Sequence, residues 1–288
     1  MIDETESGGF GKKALGVVAA AVVTLGVLFA GVYLIDPNAV RERLGIIPEL
    51  DVPYVSSRPP TVQAMVEMAD IGPDDYVIDL GAGDGRILLA AAVDRGASGL
   101  GVDLDPALVE EATDEAERLG LSGRVTFRQQ DLFDTPLNQA DVITMFLLPS
   151  VNMQLRPRLL DLAPGTRIVS NRFDMGDWEA DGERRVAGYP VYLWVVPAAV
   201  EGDWIVEVGG REIELSLQQT FQQVRGTATI DGEPVALTAK LTGSDLRVEF
   251  PSPYRGQNFR AVVREDWLEH PDTAEVLGER AEPEESPE

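Results

Sequence analysis

Cysteine is absent from the 288 residues of this chain, and histidine occurs once, at His270. Without cysteine the protein can form no disulfide, carries no thiol nucleophile and has no cysteine-ligated metal site. The single histidine lies in a polar stretch near the carboxyl terminus, which argues against histidine-based catalysis and against a histidine-rich zinc site. We therefore predict no metal centre.

Lysine is almost as scarce, since Lys12, Lys13 and Lys240 are the only three. Acidic residues number 49 against 24 lysines and arginines, so the formal net charge is −25. A charge of this sign and size opposes non-specific binding to nucleic acid and to anionic lipid surfaces, and we expect no nucleic-acid partner. Hydrophobic residues make up 44% of the chain, which is enough for a sizeable core and for two domains with tails.

Residues 76–86 are the most informative stretch. An apolar run from Tyr76 to Leu80 predicts a buried strand, three alternate glycines follow, and a helix-forming run begins at Ile87. This order is typical of a nucleotide-type site, because the backbone of a glycine turn can approach a ligand closely. Asp79 lies within the strand, where a dinucleotide site needs a small apolar residue and where a carboxylate would repel a pyrophosphate. A carboxylate at this position suits a phosphate-free ligand with a cationic amine, and S-adenosylmethionine (SAM) is such a ligand.

Two more carboxylates follow the next two predicted strands. Asp103 ends the run at residues 99–102, and Asp131 follows the run at residues 124–127. At the carboxyl ends of adjacent strands, Asp103 can accept hydrogen bonds from both ribose hydroxyls, and Asp131 can accept one from the adenine amino group. Three acids in this order favour a SAM site. The alternative is an α/β fold whose strand ends merely carry solvated acids.

Residues 14–35 contain no charged side chain. As a helix this run would span a hydrocarbon core of ~30 Å, and we predict an amino-terminal transmembrane helix. A cleaved signal peptide is the alternative, although the apolar run is too long for one and Leu28-Phe29-Ala30 puts a large residue where cleavage needs a small one. Flanking charges do not decide the orientation. Because SAM is a cytoplasmic metabolite, we expect a single-pass protein of the cytoplasmic (inner) membrane whose catalytic domain faces the cytoplasm.

The pattern of the sequence changes along the chain and predicts its domains. After the tail and helix of residues 1–35, a proline-punctuated linker spans residues 36–60. Residues 61–200 alternate strands and helices, which predicts a Rossmann-like, doubly wound parallel sheet. Residues 201–264 predict an antiparallel β module, either a meander or a small sandwich, that serves as a platform for a substrate or partner or as a cover for the sheet edge. Residues 265–288 are acidic and proline-rich, which predicts a disordered tail.

Three motifs together resemble those of class I SAM-dependent methyltransferases: DLGAGDGR at 79–86, GVDLDP at 101–106 and QDLF at 130–133. With Pro53-Tyr54-Val55 and the amino-terminal apolar helix, they resemble more narrowly the membrane-anchored protein-lysine methyltransferase family and its prokaryotic relatives. Mitochondrial members of that family modify lysines of the ATP synthase c-subunit or of the adenine nucleotide translocator. The broad resemblance covers about residues 53–197. The mitochondrial members carry no large β extension after the sheet, and in this respect the chain departs from them.

The resemblance implies SAM as the cofactor and a set of residues that bind it. The glycine turn would approach the cofactor, Asp79 would lie near its amino end, and Asp103 would bind the ribose. Asp131 and Leu132 would flank the adenine. The implied set is Asp79, Gly81, Ala82, Gly83, Gly85, Asp103, Leu104, Asp131 and Leu132.

Methyl transfer from a sulfonium needs orientation and an unprotonated acceptor, and it needs no metal. For a lysine acceptor, a desolvated pocket with a carboxylate or phenol nearby suffices. Tyr54 is our candidate catalytic residue, because the segment before the first strand can fold over the strand ends; ordinary packing is the alternative role. Asn171 and Asp174, just beyond the fifth strand, are weaker candidates.

Three functions are consistent with this pattern. The first is a membrane-anchored SAM-dependent methyltransferase that N-methylates lysine of a membrane-associated protein. The second keeps the cofactor and replaces the substrate with a lipid-soluble small molecule. The third is a non-catalytic anchored scaffold whose nucleotide site has lapsed.

Overall fold

The computed structural model of this chain describes residues 56–281. The predicted transmembrane run at residues 14–35, nearly all of the linker at 36–60 and the candidate Tyr54 lie outside the described residues. Between residues 56 and 281, no helix has the length and apolar character needed to cross a membrane.

The described part of the chain forms a helix-flanked sheet followed by a β-barrel. The helices are α1 Pro59–Met68, α2 Arg86–Arg95, α3 Pro106–Arg118 and α4 Pro149–Leu160. The strands of the sheet are β1 Tyr76–Leu80, β2 Ser98–Asp103, β3 Val125–Gln129, β4 Val142–Met145, β5 Arg167–Asn171, β6 Gly182–Val186 and β7 Tyr189–Val195. The strands of the barrel are β8 Gly202–Val208, β9 Arg211–Thr220, β10 Gln223–Ile230, β11 Glu233–Thr242, β12 Asp245–Glu249, β13 Phe259–Val263, β14 Trp267–Glu269 and β15 Val276–Arg280. Single turns of 3-10 helix occur at Leu132–Asp134 and Tyr254–Gln257.

Local sequence explains where the helices begin. Proline occupies the first turn of α1, α3 and α4, where its missing amide hydrogen costs nothing. Asp105 caps α3, because its side chain accepts a hydrogen bond of 2.9 Å from the amide of Ala107. At the start of α2, Gly85 has a φ of 76°, a left-handed conformation that glycine adopts without strain. Helix α1 packs an apolar face against the sheet, since Val62 and Met65 are buried in the core.

The sheet has the strand order β3-β2-β1-β4-β5-β7-β6. Strands β1 to β5 are parallel, as predicted for a doubly wound sheet. The prediction is wrong for the last two strands, because β7 runs antiparallel to both β5 and β6 and the sheet is mixed. The physical reason is the connection: a two-residue turn at Ala187 and Gly188, both with positive φ, joins β6 to β7, and so short a turn can only link antiparallel neighbours.

Helices cover both faces of the sheet, and side chains alternate between the faces along each strand. Val77 packs in the cluster with α1 and α2, whereas Ile78 and Leu80 pack in the cluster with α4. Asp79 shares the face of Val77, and it is the carboxylate that the sheet buries most completely, with 1% of its surface exposed. The core therefore encloses the first predicted site residue.

The second domain is a closed antiparallel barrel in which β8 to β15 follow one another in sequence. The barrel closes where its last strand pairs with its first, through Gly278 opposite Val206 and Arg280 opposite Trp204. Apolar side chains fill the interior, among them Trp204, Leu215 and Leu246. The predicted antiparallel module is confirmed, and it is a closed meander that leaves no open sheet edge.

The predicted disordered tail is wrong for the residues that form β14 and β15. In the part of this segment that the structure describes, the acidic side chains of Glu275 and Glu279 are exposed. Arg280 lies over the ring of Trp204, 4.4 Å from its centroid, and donates a 2.6 Å hydrogen bond to the carbonyl of Glu201. At Gly278 a Cβ would come within 2.4 Å of the carbonyl oxygen of Ile205, so glycine permits the close approach of β15 to β8. Pairing with a distant strand outweighs the polar composition of this segment.

Candidate active site

The crevice of an open α/β sheet lies where the strand order reverses, outside the carboxyl ends of the strands. Here that point falls between β1 and β4, which are neighbours although they are far apart in sequence. Asp79 lies near the end of β1, Asp103 ends β2, and Asp131 follows β3. The structure therefore brings the three predicted carboxylates to the ends of three adjacent strands.

Asp79 is a buried carboxyl group with one oxygen unpartnered. Its Oδ1 accepts a hydrogen bond of 2.6 Å from the hydroxyl of Thr144 on β4. Its Oδ2 has no hydrogen-bond partner among the described residues. Burial, with smaller contributions from the charges of Asp103 and Asp84, raises the pKa of Asp79 to about 7, although the Thr144 hydroxyl and the nearby backbone amide of Leu88 oppose this rise. Such a group is stabilised as an anion when a cation comes to its free oxygen.

The glycine turn brings backbone close to the strand ends. Gly81, Gly83 and Gly85 all have positive φ, between 55° and 76°. The amides of Gly81 and Ala82 both donate to the carbonyl of Val102, at 3.0 and 2.9 Å, which fixes the turn against β2. A Cβ on Gly81 would come within 2.8 Å of a methyl group of Leu147, so the turn packs too closely for a side chain at this position. The turn is therefore fixed and needs glycine here.

Asp103 also organises the loops around it. Its Oδ2 accepts a 2.8 Å hydrogen bond from the amide of Gly83, and its Oδ1 accepts one of 3.0 Å from the amide of Asp105. Each carboxylate oxygen has a second lone pair, so both can still accept a hydroxyl group. The neighbouring Leu104 is 45% exposed and offers an apolar surface beside the carboxylate.

The segment after β3 places Asp131 and Leu132 side by side. The Oδ1 of Asp131 accepts from the amide of Phe133 at 2.8 Å and caps the short turn at Leu132–Asp134. Sequence reasoning missed the residue that holds this segment, Arg158 on α4. Its guanidinium donates to the carbonyls of Phe133 and Thr135, both at 2.6 Å, and to that of Leu132 at 3.3 Å. Because its partners are backbone groups more than twenty residues away, no spacing in the sequence marks Arg158.

A second connection missed by sequence reasoning joins the entry segment of the described chain to the crevice. Ser57 is buried, and its carbonyl accepts a 2.7 Å hydrogen bond from Arg86 directly after the glycine turn. Its hydroxyl accepts one of 3.0 Å from Asn171 at the end of β5. Asn171, a weaker candidate for catalysis, thus contacts this segment, and the chain enters the described region beside the crevice. Tyr54 precedes Ser57 by three residues and lies outside the described residues.

The side of the crevice beyond β4 carries aromatic rings. Phe146, just after β4, stacks on Phe173, just after β5, with their centroids 6.3 Å apart. Arg172 has a φ of 73° and lies over the rings of both Phe173 and Tyr189. Asp174 is exposed, and its Oδ1 accepts from the amide of Gly176 at 3.1 Å. This face offers a flat, apolar surface with charges at its rim.

These residues fit a phosphate-free ligand that carries an amine and a ribose. A buried, unpartnered carboxylate oxygen at Asp79 suits a cationic amine, and it opposes a phosphate. The closely packed turn at Gly81 leaves space for backbone contacts only. The acceptor oxygens of Asp103 suit a pair of hydroxyl groups.

Comparison with known proteins agrees with this chemistry. The sequence model of the family described as ANTKMT methyltransferase domain matches residues 79–182. A protein-lysine N-methyltransferase of Saccharolobus islandicus is 38% identical over 151 residues, which are 50% of this chain and 94% of that protein. The chain belongs to this methyltransferase family. The adenine nucleotide translocase lysine N-methyltransferase of Mus musculus is 34% identical over 63% of this chain and 81% of its own length.

A solved structure identifies the cofactor class. The crystal structure of an RNA methyltransferase from Salinibacter ruber in complex with S-adenosyl-L-homocysteine is 45% identical, with a TM-score of 0.50, and covers 51% of this chain and 96% of its own. The protein is a SAM-dependent methyltransferase with a Rossmann-like catalytic domain. The Saccharolobus and Salinibacter proteins each align over nearly their whole length. Each alignment covers about half of this chain.

Proposed function

We propose that this methyltransferase transfers the methyl group of SAM to the ε-amino group of a lysine in a membrane-associated protein. The observation that carries this proposal is the similarity to a protein-lysine N-methyltransferase over 94% of that protein's length. The mouse relative, which is named for a lysine of the adenine nucleotide translocase, supports the same acceptor chemistry.

In this proposal the strand ends bind the cofactor, which supplies an electrophilic methyl group. The free oxygen of Asp79 binds the amine, the carboxylate of Asp103 binds the ribose hydroxyls, and Asp131 with Leu132 contacts the adenine. The amides of the glycine turn line the crevice between them. The buried and unpartnered Oδ2 of Asp79 supports this orientation.

The acceptor lysine enters from the side of β4 and β5. The stacked rings of Phe146 and Phe173 provide an apolar surface for the aliphatic part of a lysine side chain. An apolar surface also lowers the pKa of an amine, and the unprotonated amine is the form that can accept a methyl group. Tyr54 is the proposed catalytic residue. The anchoring of Ser57 by Arg86 and Asn171 supports this role, because it brings the entry segment to the crevice.

The proposal includes an anchor. The uncharged run at residues 14–35 is long enough to cross a bilayer as one helix. A catalytic domain that uses SAM then faces the cytoplasm from the cytoplasmic membrane. An anchored enzyme meets a membrane-embedded substrate at high local concentration, which fits an acceptor in a membrane-associated protein.

Two other methyl acceptors, RNA and a lipid-soluble small molecule, are distinguished from lysine by the experiment described below. The Salinibacter structure is described as an RNA methyltransferase, and its 45% identity favours an RNA acceptor. The net charge of −25 opposes it, because nucleic acid is bound chiefly through positive charge. A lipid-soluble small molecule is the third possible acceptor, and it would also be met at a membrane.

The deciding experiment incubates a detergent extract of native membranes with methyl-labelled SAM and the purified full-length protein. We expect the label in a protein band, in a form that acid hydrolysis recovers as methyl-lysine. Label in a ribonuclease-sensitive fraction or in the organic phase would contradict the proposal and identify RNA or a small molecule instead.

Matched variants distinguish labelling by this protein from labelling by another enzyme in the membrane extract. Asp103→Asn removes the negative charge of the carboxylate that is proposed to bind the ribose. This variant should abolish labelling and weaken SAM binding in calorimetry. Asp94→Asn changes an exposed aspartate on α2 in the same way and should leave both unchanged. Equal labelling by both variants would show that another enzyme in the extract is responsible. Complete lack of SAM binding by the unaltered protein would instead support the scaffold hypothesis.

A further inference from the structure

The segment that connects β5 to β6 forms the rim of the crevice on the acceptor side. We call residues 172–181 the acceptor loop. It carries Phe173 of the aromatic pair, and further along it Met175 and Trp178 are completely buried. A loop with this much buried surface has a single packed conformation, and its position decides where Phe173 lies.

Helix α4 holds the first half of the acceptor loop. The amide group of Asn152 donates to the carbonyls of Phe173 and Asp174, both at 3.2 Å. Arg156, one turn later on the same helix, donates to the carbonyl of Met175 at 3.0 Å and forms an ion pair with Asp177.

The barrel holds the second half. The turn between β9 and β10, which we call the barrel tip, places the ring of Phe221 on the ring of Trp178, with centroids 6.0 Å apart and planes inclined by 21°. The side-chain amide of Gln222 donates to the carbonyl of Glu179 at 2.6 Å, and that of Gln223 donates to the Glu179 carboxylate at 3.1 Å. The tip therefore contacts the acceptor loop through a ring and through polar groups.

The backbone of the barrel tip indicates that the ring of Phe221 is functionally important. Phe221 has a φ of 53°, a left-handed conformation that is costly for a bulky residue and is usually taken by glycine or asparagine. At the opposite end of β10, the turn that begins β11 uses the ordinary residues Asp231 and Gly232 at positive φ. Phenylalanine at such a position is explained by the contact that its side chain makes.

Two side chains, Gln219 and Arg156, fix the tip in place. Gln219 donates to the carbonyls of Ala198 and Phe221, at 2.9 and 2.7 Å, and accepts from the amide of Val200 at 2.7 Å. It thereby ties the tip to the linker between the sheet and the barrel. On the other side, the guanidinium of Arg156 lies 5.6 Å from the centroid of the Phe221 ring, so the same side chain contacts both the tip and the acceptor loop.

We propose that the barrel is a positioning element of the active site and that Phe221 is its positioning residue. By holding Trp178, the barrel tip fixes the acceptor loop and with it the apolar surface at Phe173, and so sets the affinity for the acceptor. This inference rests on the proposed function, in which the acceptor lysine enters beside this loop. It gives the β module a role that differs from the two interpretations in the sequence analysis, a platform for a substrate or partner and a cover for the sheet edge.

Phe221→Asn tests the proposal, because asparagine tolerates the left-handed turn and removes the ring. We expect faster amide hydrogen exchange in residues 172–181, and an increase of about three- to tenfold in the KM for the labelled protein acceptor. The affinity for S-adenosylhomocysteine should not change. Phe221→Trp keeps a stacking ring, so amide exchange in residues 172–181 and the KM for the acceptor should stay as in the unaltered protein. Asp231→Gly should leave the same two quantities unchanged.

Hydrogen exchange separates the failure of this inference from the failure of the proposed function. If no lysine is methylated but exchange rises only in the acceptor loop, the barrel still positions that loop and only the acceptor was misassigned. Unchanged exchange in residues 172–181 of Phe221→Asn would overturn the inference, as would a rise spread evenly over the whole sheet.

Discussion

The buried carboxyl of Asp79 predicts that the affinity for the cofactor depends on pH. Its pKa of about 7 means that at pH 6 roughly nine in ten of these groups carry a proton in the ligand-free protein. A cationic amine binds to the ionised form, so binding must release that proton. Below the pKa, affinity therefore rises with pH until the carboxyl is ionised.

The size of this effect follows from the pKa. Between pH 5.5 and 6.5 the ionised fraction of a group with a pKa near 7 increases about eightfold, and the affinity should increase by the same factor. In this range an α-amino group stays protonated, so the ligand itself contributes no change. The slope belongs to Asp79 if it disappears in Asp79→Asn.

Titration calorimetry with S-adenosylhomocysteine, which keeps the amine and the ribose, measures the affinity and the number of protons released on binding. We expect an eightfold change in Kd over this unit of pH, and at pH 6 a buffer-dependent heat that corresponds to release of ~0.9 proton. Asp79→Asn should bind more weakly, with no slope and no proton release. Equal affinities of the unaltered protein at the two pH values, or the same slope in the variant, would refute the assignment of the amine to Asp79.

The same group affects stability, with a sign that follows from its pKa in the two states. The pKa is about 7 when folded against 3.8 as the ordinary value, so the folded protein holds the proton more tightly. The free energy of unfolding of the ligand-free protein should therefore fall as the pH rises from about 4 to about 7, by at most about 4 kcal/mol, and then level off. Urea denaturation of Asp79→Asn should lack this part of the slope; an unchanged slope would assign it to other groups.

Three further predictions concern single residues. Gly101→Ala would place a Cβ 2.4 Å from the ring of Phe127. This variant should lower the free energy of unfolding by about 1–3 kcal/mol in urea denaturation. Gly123→Ala, with no atom within 4 Å of the new carbon, should change the free energy of unfolding little. Arg158→Gln should weaken S-adenosylhomocysteine binding about tenfold in calorimetry, while Arg118→Gln, which removes an exposed ion pair on α3, should not; equal effects would contradict a specific role for the first arginine. Tyr54→Phe should lower kcat for methyl transfer by a factor of about 100 and leave cofactor affinity unchanged, and an unchanged kcat would reduce this residue to packing.

Local sequence was sufficient to predict the cofactor side of the fold. The run from Tyr76 to Leu80 became β1, the glycines became a turn with positive φ, and Asp103 came to the end of β2, because each of these features depends on neighbouring residues. The parallel order of the first five strands followed from the alternation of strands and helices.

The features that the sequence did not reveal depend on contacts between distant segments. Arg158 binds backbone carbonyls, which have no sequence signature, and Phe221 contacts a tryptophan that lies 43 positions earlier in the chain. The strand β15 has an acidic composition typical of a tail, and only its pairing with β8 makes it a strand. Such pairings are set by the packing of the whole domain, since solvent-facing positions of a strand accept almost any polar residue.

Closure of the barrel by β15 on β8 also sets an order for biosynthesis. The ribosome releases the whole catalytic sheet before Arg280, yet β8 receives its last partner only when that residue has emerged. A nascent chain can thus complete its cofactor crevice while the barrel is still open.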